Sequence, residues 1–400
     1  KVKRRSRRGT KRRRRTKRVK KVQRGGGAGE EAAETQAKQW YDKGVVQAEG
    51  GDKAGAEASF RAAIAADPQL AVAHYNLGIL LDEGGAKMQA ETAYRAAAAA
   101  ADDDRTATEA QNKLGVLLGE RGNKVGAEAA FRAAIAADPQ HADAHFNLGI
   151  ILRNNGDNAG AEASFRAATT ADPQNADAHN NLGLFLAKRG DNAGAKASFR
   201  AAFTVDPQNA RAHRNMGILL RGSGDKDGAE ASFRAAITAD PQYAKAHNNL
   251  GVLLDERGDK DGAVAAYRAA IAADPKHVDA HGNLGILLNE RGDKAGAEAA
   301  YRAAIAADPQ YANAHNNLGL LLNERGDKAG AEAAYRAAIA ADPQHAMAHS
   351  NLGLLLSERG DLAGAEAAYR AAHEAATSKE EKSFAKAALD EVQAALESSS

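Results

Sequence analysis

The sequence predicts an all-α solenoid: about ten helical hairpins stacked in a row and closed by a C-terminal capping helix. Three observations carry this. The eight prolines form one series (Pro68, Pro139, Pro173, Pro207, Pro241, Pro275, Pro309 and Pro343), with an interval of 34 residues from Pro139 onward. Apolar residues recur at helical spacing on two segments of every unit. Only 5% of residues are aromatic while alanine and glycine abound, so thin layers stacked closely suit the chain better than one large core.

The segment from Ala312 to His345 serves as the specimen unit. Ala314, Leu318, Leu321 and Leu322 define one amphipathic helix. Gly326 follows it, where a left-handed residue closes a helix, and Asp327 is placed to cap the next one. Ala331, Tyr335, Ala338 and Ile339 share a face of that second helix. Asp342-Pro343 ends it, because proline lacks an amide donor and constrains the residue before it. Gly319, Ala331 and Ala338 are small where two backbones must come close, with Tyr335 as the bulky residue beside them. One unit departs from the rule. It lacks its proline and carries three extra residues near Ala101-Asp102-Asp103-Asp104.

This pattern resembles the tetratricopeptide repeat, through Leu318-Gly319, Ala331, Tyr335, Ala338 and Pro343 and their counterparts in the other units. The resemblance implies a right-handed α-solenoid superhelix whose first helices line the concave face. Ten units are expected over residues 37–377, the first with the family's aromatic at Trp40. Residues 378–397 are expected to form the capping helix, with Phe384, Ala388, Val392 and Leu396 as its apolar stripe.

Charge divides the chain. Residues 1–24 hold 16 of the 54 Lys and Arg and no acid, which leaves 38 basic against 52 acidic residues in the rest. The first stretch has almost nothing apolar to bury, so it reads as a basic disordered tail, with 25–36 as a flexible linker. Lys11 to Lys21 suit a nuclear import signal or nonspecific contact with nucleic acid, without aromatics for reading bases. With no cysteine, disulfides, thiolate metal sites and cysteine nucleophiles are excluded. No apolar run is long enough to span a bilayer. A secretory h-region is also lacking, so an intracellular place, nuclear or cytoplasmic, is expected.

The binding residues are expected on the first helices. Asn76, Asn147, Asn181, Asn215, Asn249, Asn283, Asn317 and Asn351 hold one repeat position, broken only by Lys113. A carboxamide donates and accepts, so a ladder of them suits the backbone of an extended polypeptide. The competing reading is that each rung only ties its own or the neighbouring repeat. Similar ladders occur in the repeat half of O-linked N-acetylglucosamine transferases, where they hold the polypeptide to be glycosylated. Selectivity is expected from Arg153, Arg214 and Arg221 in the middle and from Glu256, Glu290 and Glu324 toward the C-terminal end. The chaperone-tail clamp of some family members is not matched. Ile150, Leu184 and Leu320 replace its first asparagine, and asparagine stands at its final arginine.

Other motifs point elsewhere and are weaker. The histidine series from His74 to His349 recurs once per repeat, too far apart for a metal cluster, and is expected to pack. Arg-Gly-Asp occurs five times, but its Gly and Asp already stop and cap helices. No phosphate loop, nucleophile elbow or acid–base pair appears. The expectation is therefore a non-catalytic scaffold for other proteins or extended peptides, without metal or cofactor and without a membrane span. The alternatives are the repeat half of a glycosyltransferase of that kind, or a scaffold tethered to nucleic acid by its tail.

Overall fold

The computed structural model describes residues 28–399; the basic tail and the glycine run after it lie outside the described residues. Every regular element among the described residues is a helix. The chain divides into two compact units, one running to Leu186 and one from Ala187 onward. The first holds α1 (Ala28–Glu49), α2 (Lys53–Ala66), α3 (Ala71–Glu83), α4 (Lys87–Ala100), α5 (Asp104–Glu120), α6 (Lys124–Ala137), α7 (Ala142–Asn154), α8 (Asn158–Ala171) and most of α9 (Ala176–Lys188).

The second holds α10 (Asn192–Val205), α11 (Ala210–Gly222), α12 (Lys226–Ala239), α13 (Ala244–Glu256), α14 (Lys260–Ala273), α15 (Val278–Glu290) and α16 (Lys294–Ala307). It continues with α17 (Ala312–Glu324), α18 (Lys328–Ala341), α19 (Ala346–Glu358), α20 (Leu362–Ala375) and α21 (Lys379–Ser399). Odd-numbered helices up to α19 open a hairpin and even-numbered ones close it. Within each unit a first helix packs along its second helix, as α3 does on α4, and the second helix packs on the next first helix, as α4 does on α5. This is an α-solenoid.

Local chemistry sets each boundary. At the end of α17, Gly326 takes φ 80°, where any side chain would be strained. Its N–H donates to Asn323 O, and the Asp327 N–H reaches back to Leu322 O at 2.9 Å. The Asp327 carboxylate then accepts the Gly330 N–H at 2.9 Å and caps α18. The equivalent glycine has positive φ in all ten hairpins. At the other end Asp342 leaves the helix, and its side chain accepts the Gln344 N–H at 3.0 Å. Each hairpin-ending proline carbonyl accepts a hydrogen bond from a histidine six residues on, as Pro309 O does from His315 Nε2 at 3.1 Å. The histidine series thus ties each turn to the helix that follows it.

The core is a row of rings against glycines. Tyr335 is 1% exposed and Phe165 fully buried. A Cβ on Gly319 would come within 2.6 Å of the Tyr335 ring, so only glycine allows that ring to sit flat on the first helix. Burying such a ring contributes roughly 2–3 kcal/mol, which makes this contact the main one within a hairpin.

Two expectations need correction, and the insertion finds its place. Residues 28–36, read as part of a linker, are the opening turns of α1. They are rich in Ala and Glu, both strong helix formers. The insertion near residue 102 is absorbed into a helix. It extends α5 at its N-terminus, where Asp103 accepts the Thr106 N–H at 2.8 Å, and that backbone bond holds its carboxyl below the usual range. Phe384 lies off the packing face of α21 and is 57% exposed. Ala385, Leu389 and Val392 are buried there instead, with Ala388 and Leu396 beside them. At ~100° per residue a strict i+4 series drifts ~40° per step, which carries Phe384 round to the side. The entry to α21 also has a reciprocal cap. Ser378 Oγ accepts the Glu381 N–H at 3.1 Å, and the Glu381 carboxylate takes the Ser378 N–H at 3.3 Å.

Candidate functional site: the face of the first helices

Within each unit the first helices of successive hairpins also touch one another, as α3 does α5 and α15 does α17. That closer approach puts them on the inner side of each unit's curve. The asparagine series lies on these helices and is half-buried, with Asn215 at 8% exposure the most enclosed. Three residues beyond each asparagine stands an aliphatic side chain one turn along the same face. Ile218, Ile286, Leu320 and Leu354 in the second unit are 39–46% exposed, and Leu184 in the first is 40% exposed. Large aliphatics exposed at one repeat position form a stripe, unlike scattered surface leucines.

The structure divides the ladder into tied and open rungs. Asn76 Nδ2 donates to Tyr41 Oη at 3.2 Å, and Asn147 Nδ2 to Asn112 Oδ1 at 3.1 Å. Asn283 donates to Asn248 and Asn351 to Asn316, at 3.1 and 2.9 Å. In each case the acceptor belongs to the preceding hairpin, 35 residues back. Asn181 instead donates to the Asp177 carbonyl of its own helix at 2.9 Å. Asn249 Nδ2 is enclosed and has no partner. Asn317 donates nothing among the described residues; its Oδ1 lies 3.5 Å from Asn316 Nδ2. The open rungs, Asn249 and Asn317, therefore fall two hairpins apart, with a tied rung between them.

The charged residues behave less simply than their sequence order suggests. Arg153 is half-buried in the last turn of α7 and makes no ion pair among the described residues. Arg214 Nε is enclosed without a partner, while its Nη1 lies 3.5 Å from Asn215 Oδ1. Arg221 faces Glu256 at 3.9 Å. The acidic end is largely neutralised. Glu290 pairs with Lys260 at 2.8 Å and Glu324 with Lys294, each lysine coming from the preceding second helix. Lys260 also holds Asp255 at 2.6 Å. The hydrogen bonds it donates to Asp255 and Glu290 push its ammonium above the ordinary lysine value. The expected acidic stretch thus turns into a row of ion pairs at the hairpin junctions, Glu256 meeting Arg221 where Glu290 and Glu324 meet lysines.

Among the described residues no three His, Cys, Asp or Glu side chains gather as a metal site. No helix among them is long and apolar enough to cross a membrane. The arginine of Arg-Gly-Asp is turned inward onto the scaffold. Arg257 grips Asp227 at 2.7 Å and Glu230 at 3.0 Å.

Stacked hairpins with a glycine–ring core define a helical-repeat protein. The chain belongs to the tetratricopeptide repeat family, whose pattern matches overlapping segments from residue 41 to 105 and from 112 to 380. No curated protein matches its sequence. Among solved structures it is similar to yeast Tom70, at 14% identity and TM-score 0.51, over 90% of this chain and 96% of that one. PilF of Pseudomonas aeruginosa is similar at 21% identity and TM-score 0.47, over 53% and 96%. A tetratricopeptide repeat protein of Parabacteroides merdae follows at 19% identity and TM-score 0.48, over 62% and 98%. The Tom70 likeness concerns the fold alone. By its family the chain is a repeat scaffold of the kind that binds other proteins.

Proposed function

We propose that the chain is a non-catalytic adaptor that holds an extended polypeptide along its first helices. The observation that carries this reading is the pairing of carboxamides with half-exposed aliphatics at one repeat position. The Asn317 amide, and the Asn249 amide once its enclosed Nδ2 swings outward, would bond peptide groups, which every polypeptide supplies. The aliphatic stripe (Ile286, Leu320 and Leu354 above all) would take apolar side chains of the same ligand. Tied rungs such as Asn283 and Asn351 hold the spacing between hairpins. Arg153, Arg214 and Arg221 would add a preference for acidic side chains in the middle of the chain.

The test compares the full chain with Asn249→Ala/Asn317→Ala and with Asn283→Ala/Asn351→Ala in pull-downs from cell extract. Two lost hydrogen bonds at about 1 kcal/mol each give roughly tenfold or greater loss of recovered protein for the first pair. Its thermal unfolding by circular dichroism should stay near wild type. The second pair should lower the unfolding midpoint and leave recovery unchanged below it. If Asn249→Ala/Asn317→Ala recovers what the wild type recovers, the ladder does not bind and the reading fails.

A further inference from the structure

The second helices carry an ion-pair motif that repeats along the chain and is broken in a telling way at hairpin seven. In four hairpins one glutamate is held between two arginines. Glu91 lies between Arg95 and Arg121, and Glu230 between Arg234 and Arg257. Glu298 lies between Arg302 and Arg325, and Glu332 between Arg336 and Arg359. The first arginine is one turn along the same helix; the second comes from the end of the next first helix. In two hairpins without the second arginine, another donor takes its place. Asn155 reaches Glu128 at 3.3 Å, and Gln393 of α21 reaches Glu366 at 3.0 Å.

Hairpin seven keeps both arginines and lacks the acid. Its counterpart of Glu230 is Val264, while Arg268 and Arg291 remain in register with Arg234 and Arg257. Arg268 has no ion partner among the described residues, and Arg291 keeps only Asp261, at 2.7 Å. The same Asp position in hairpin six, Asp227, shares Arg257 with Glu230. Hairpin seven is therefore one carboxylate short of its neighbour. In the space left there is a cleft of about 490 Å³, lined by Asp261, Val264, Ala265, Arg268, Leu288 and Arg291, with Asp293 at its edge. The Asp293 carboxylate is engaged as the cap of α16, accepting the Gly296 N–H at 2.9 Å. Val264 itself is 7% exposed and forms the cleft floor.

We infer that this cleft receives a glutamate side chain of a partner polypeptide, whose carboxylate takes the place between Arg268 and Arg291. Four sister hairpins supply the template, since the ligand that their two arginines hold is a glutamate carboxylate. Paired guanidinium groups favour a planar carboxylate with charge-assisted bonds. Val264, Ala265 and Leu288 give its methylenes an apolar floor that water does not match. The site lies on second-helix residues and does not depend on the asparagine ladder.

The experiment uses the uniformly labelled full chain and follows the Nε–Hε signals of Arg268 and Arg291 by NMR. The probe is the capped peptide acetyl-Ala-Glu-Ala-Glu-Ala-amide, with its glutamine counterpart and sodium acetate as comparison arms. The glutamate peptide should bind about tenfold or more tightly than the glutamine peptide, the factor that ~1.4 kcal/mol represents. Val264→Glu supplies the carboxylate from within, as the sister hairpins do, and should abolish binding. Arg268→Ala, at an exposed position, should abolish it too, which keeps the test open if Val264→Glu disturbs packing. In Asn249→Ala/Asn317→Ala the Arg268 and Arg291 signals should shift with the probe as in wild type, whatever the ladder contributes elsewhere, which separates this site from the ladder. Equal binding of the two peptides, binding retained by Val264→Glu and Arg268→Ala, or acetate binding as tightly as the peptide would each overturn the assignment.

Discussion

Hairpins three to six fill the gap beside the first helix with phenylalanine (Phe131, Phe165, Phe199, Phe233); hairpins seven to ten fill it with tyrosine (Tyr267, Tyr301, Tyr335, Tyr369). The packing is the same. A Cβ would fall 2.5 Å from the ring at Gly115 and 2.6 Å at Gly319. What differs is charge. The later hairpins link Lys260 to Glu290, Lys294 to Glu324 and Lys328 to Glu358. At the same places hairpins three to five carry Lys124 and Asn154, Asn158 and Lys188, and Asn192 and Gly222, while hairpin six has Lys226 and Glu256, whose lysine reaches the Glu256 carbonyl at 3.1 Å. Shape is thus held constant along the chain while its ionic dress varies. The two stretches should share their response to packing changes and differ in their response to pH and salt.

The largest expected difference is alkaline stability. Burial, and then the nearby Glu324 and Glu290, push the Tyr301 hydroxyl up to about 12; burial with Glu324 and Glu358 does the same for Tyr335. The unfolded chain ionises these groups near the ordinary value of ~10. Below that pH both states are neutral and their contribution is whole. Between ~10 and ~12 the unfolded state gives up its protons first, and stability falls by about 2 kcal/mol per tyrosine. Far-UV circular dichroism against pH should show the tyrosine hairpins melting first. Tyr301→Phe/Tyr335→Phe should move that transition to higher pH; an unmoved transition would mean that ionisation does not govern it.

Second in size is the shared packing. Gly319→Ala and Gly115→Ala each press a Cβ into a ring, and overpacking of this kind costs roughly 1–3 kcal/mol. Because the two distances agree, the two costs should agree, measured by chemical unfolding monitored by circular dichroism. Putting leucine in place of Tyr335 should remove most of the penalty of Gly319→Ala. A cost confined to one stretch would show that the ring and glycine are not the common frame of both.

The legible part of this molecule is its frame, because the frame repeats in register. Gly326, Asp327 and Pro343 each do locally what their backbone chemistry dictates, so the hairpin boundaries could be read from one unit. The site was legible only as a row. That Asn283 is tied depends on Asn248, one place ahead of the ladder in the preceding hairpin. A reading along a single repeat position passes over that neighbour. Glu290 and Glu324 were read as open for the same reason: their lysines lie 30 residues back and meet them only when hairpins stack. A comparison at offsets of 30 and 35 residues, rather than 34, holds the missing signal. The aliphatics at Leu184 and Leu320 were noticed as departures from a clamp, and their exposure gives them a different meaning.

The smallest expected effect sharpens the ionic half of the comparison. Lys294 and Glu324 are 40% and 50% exposed, and an ion pair so open to water contributes about 0–1 kcal/mol. Lys294→Gln should therefore lower the unfolding midpoint slightly at low ionic strength. The difference should vanish in about 1 M salt, where charges are screened within ~3 Å. The reverse change belongs in the other stretch. Asn154→Glu would place a carboxylate opposite Lys124, and should raise the midpoint by as little and lose the gain in the same salt. If instead Lys294→Gln costs several kcal/mol in both salts, the later hairpins owe their cohesion to charge. The glycine and ring would then be only part of what joins one hairpin to the next.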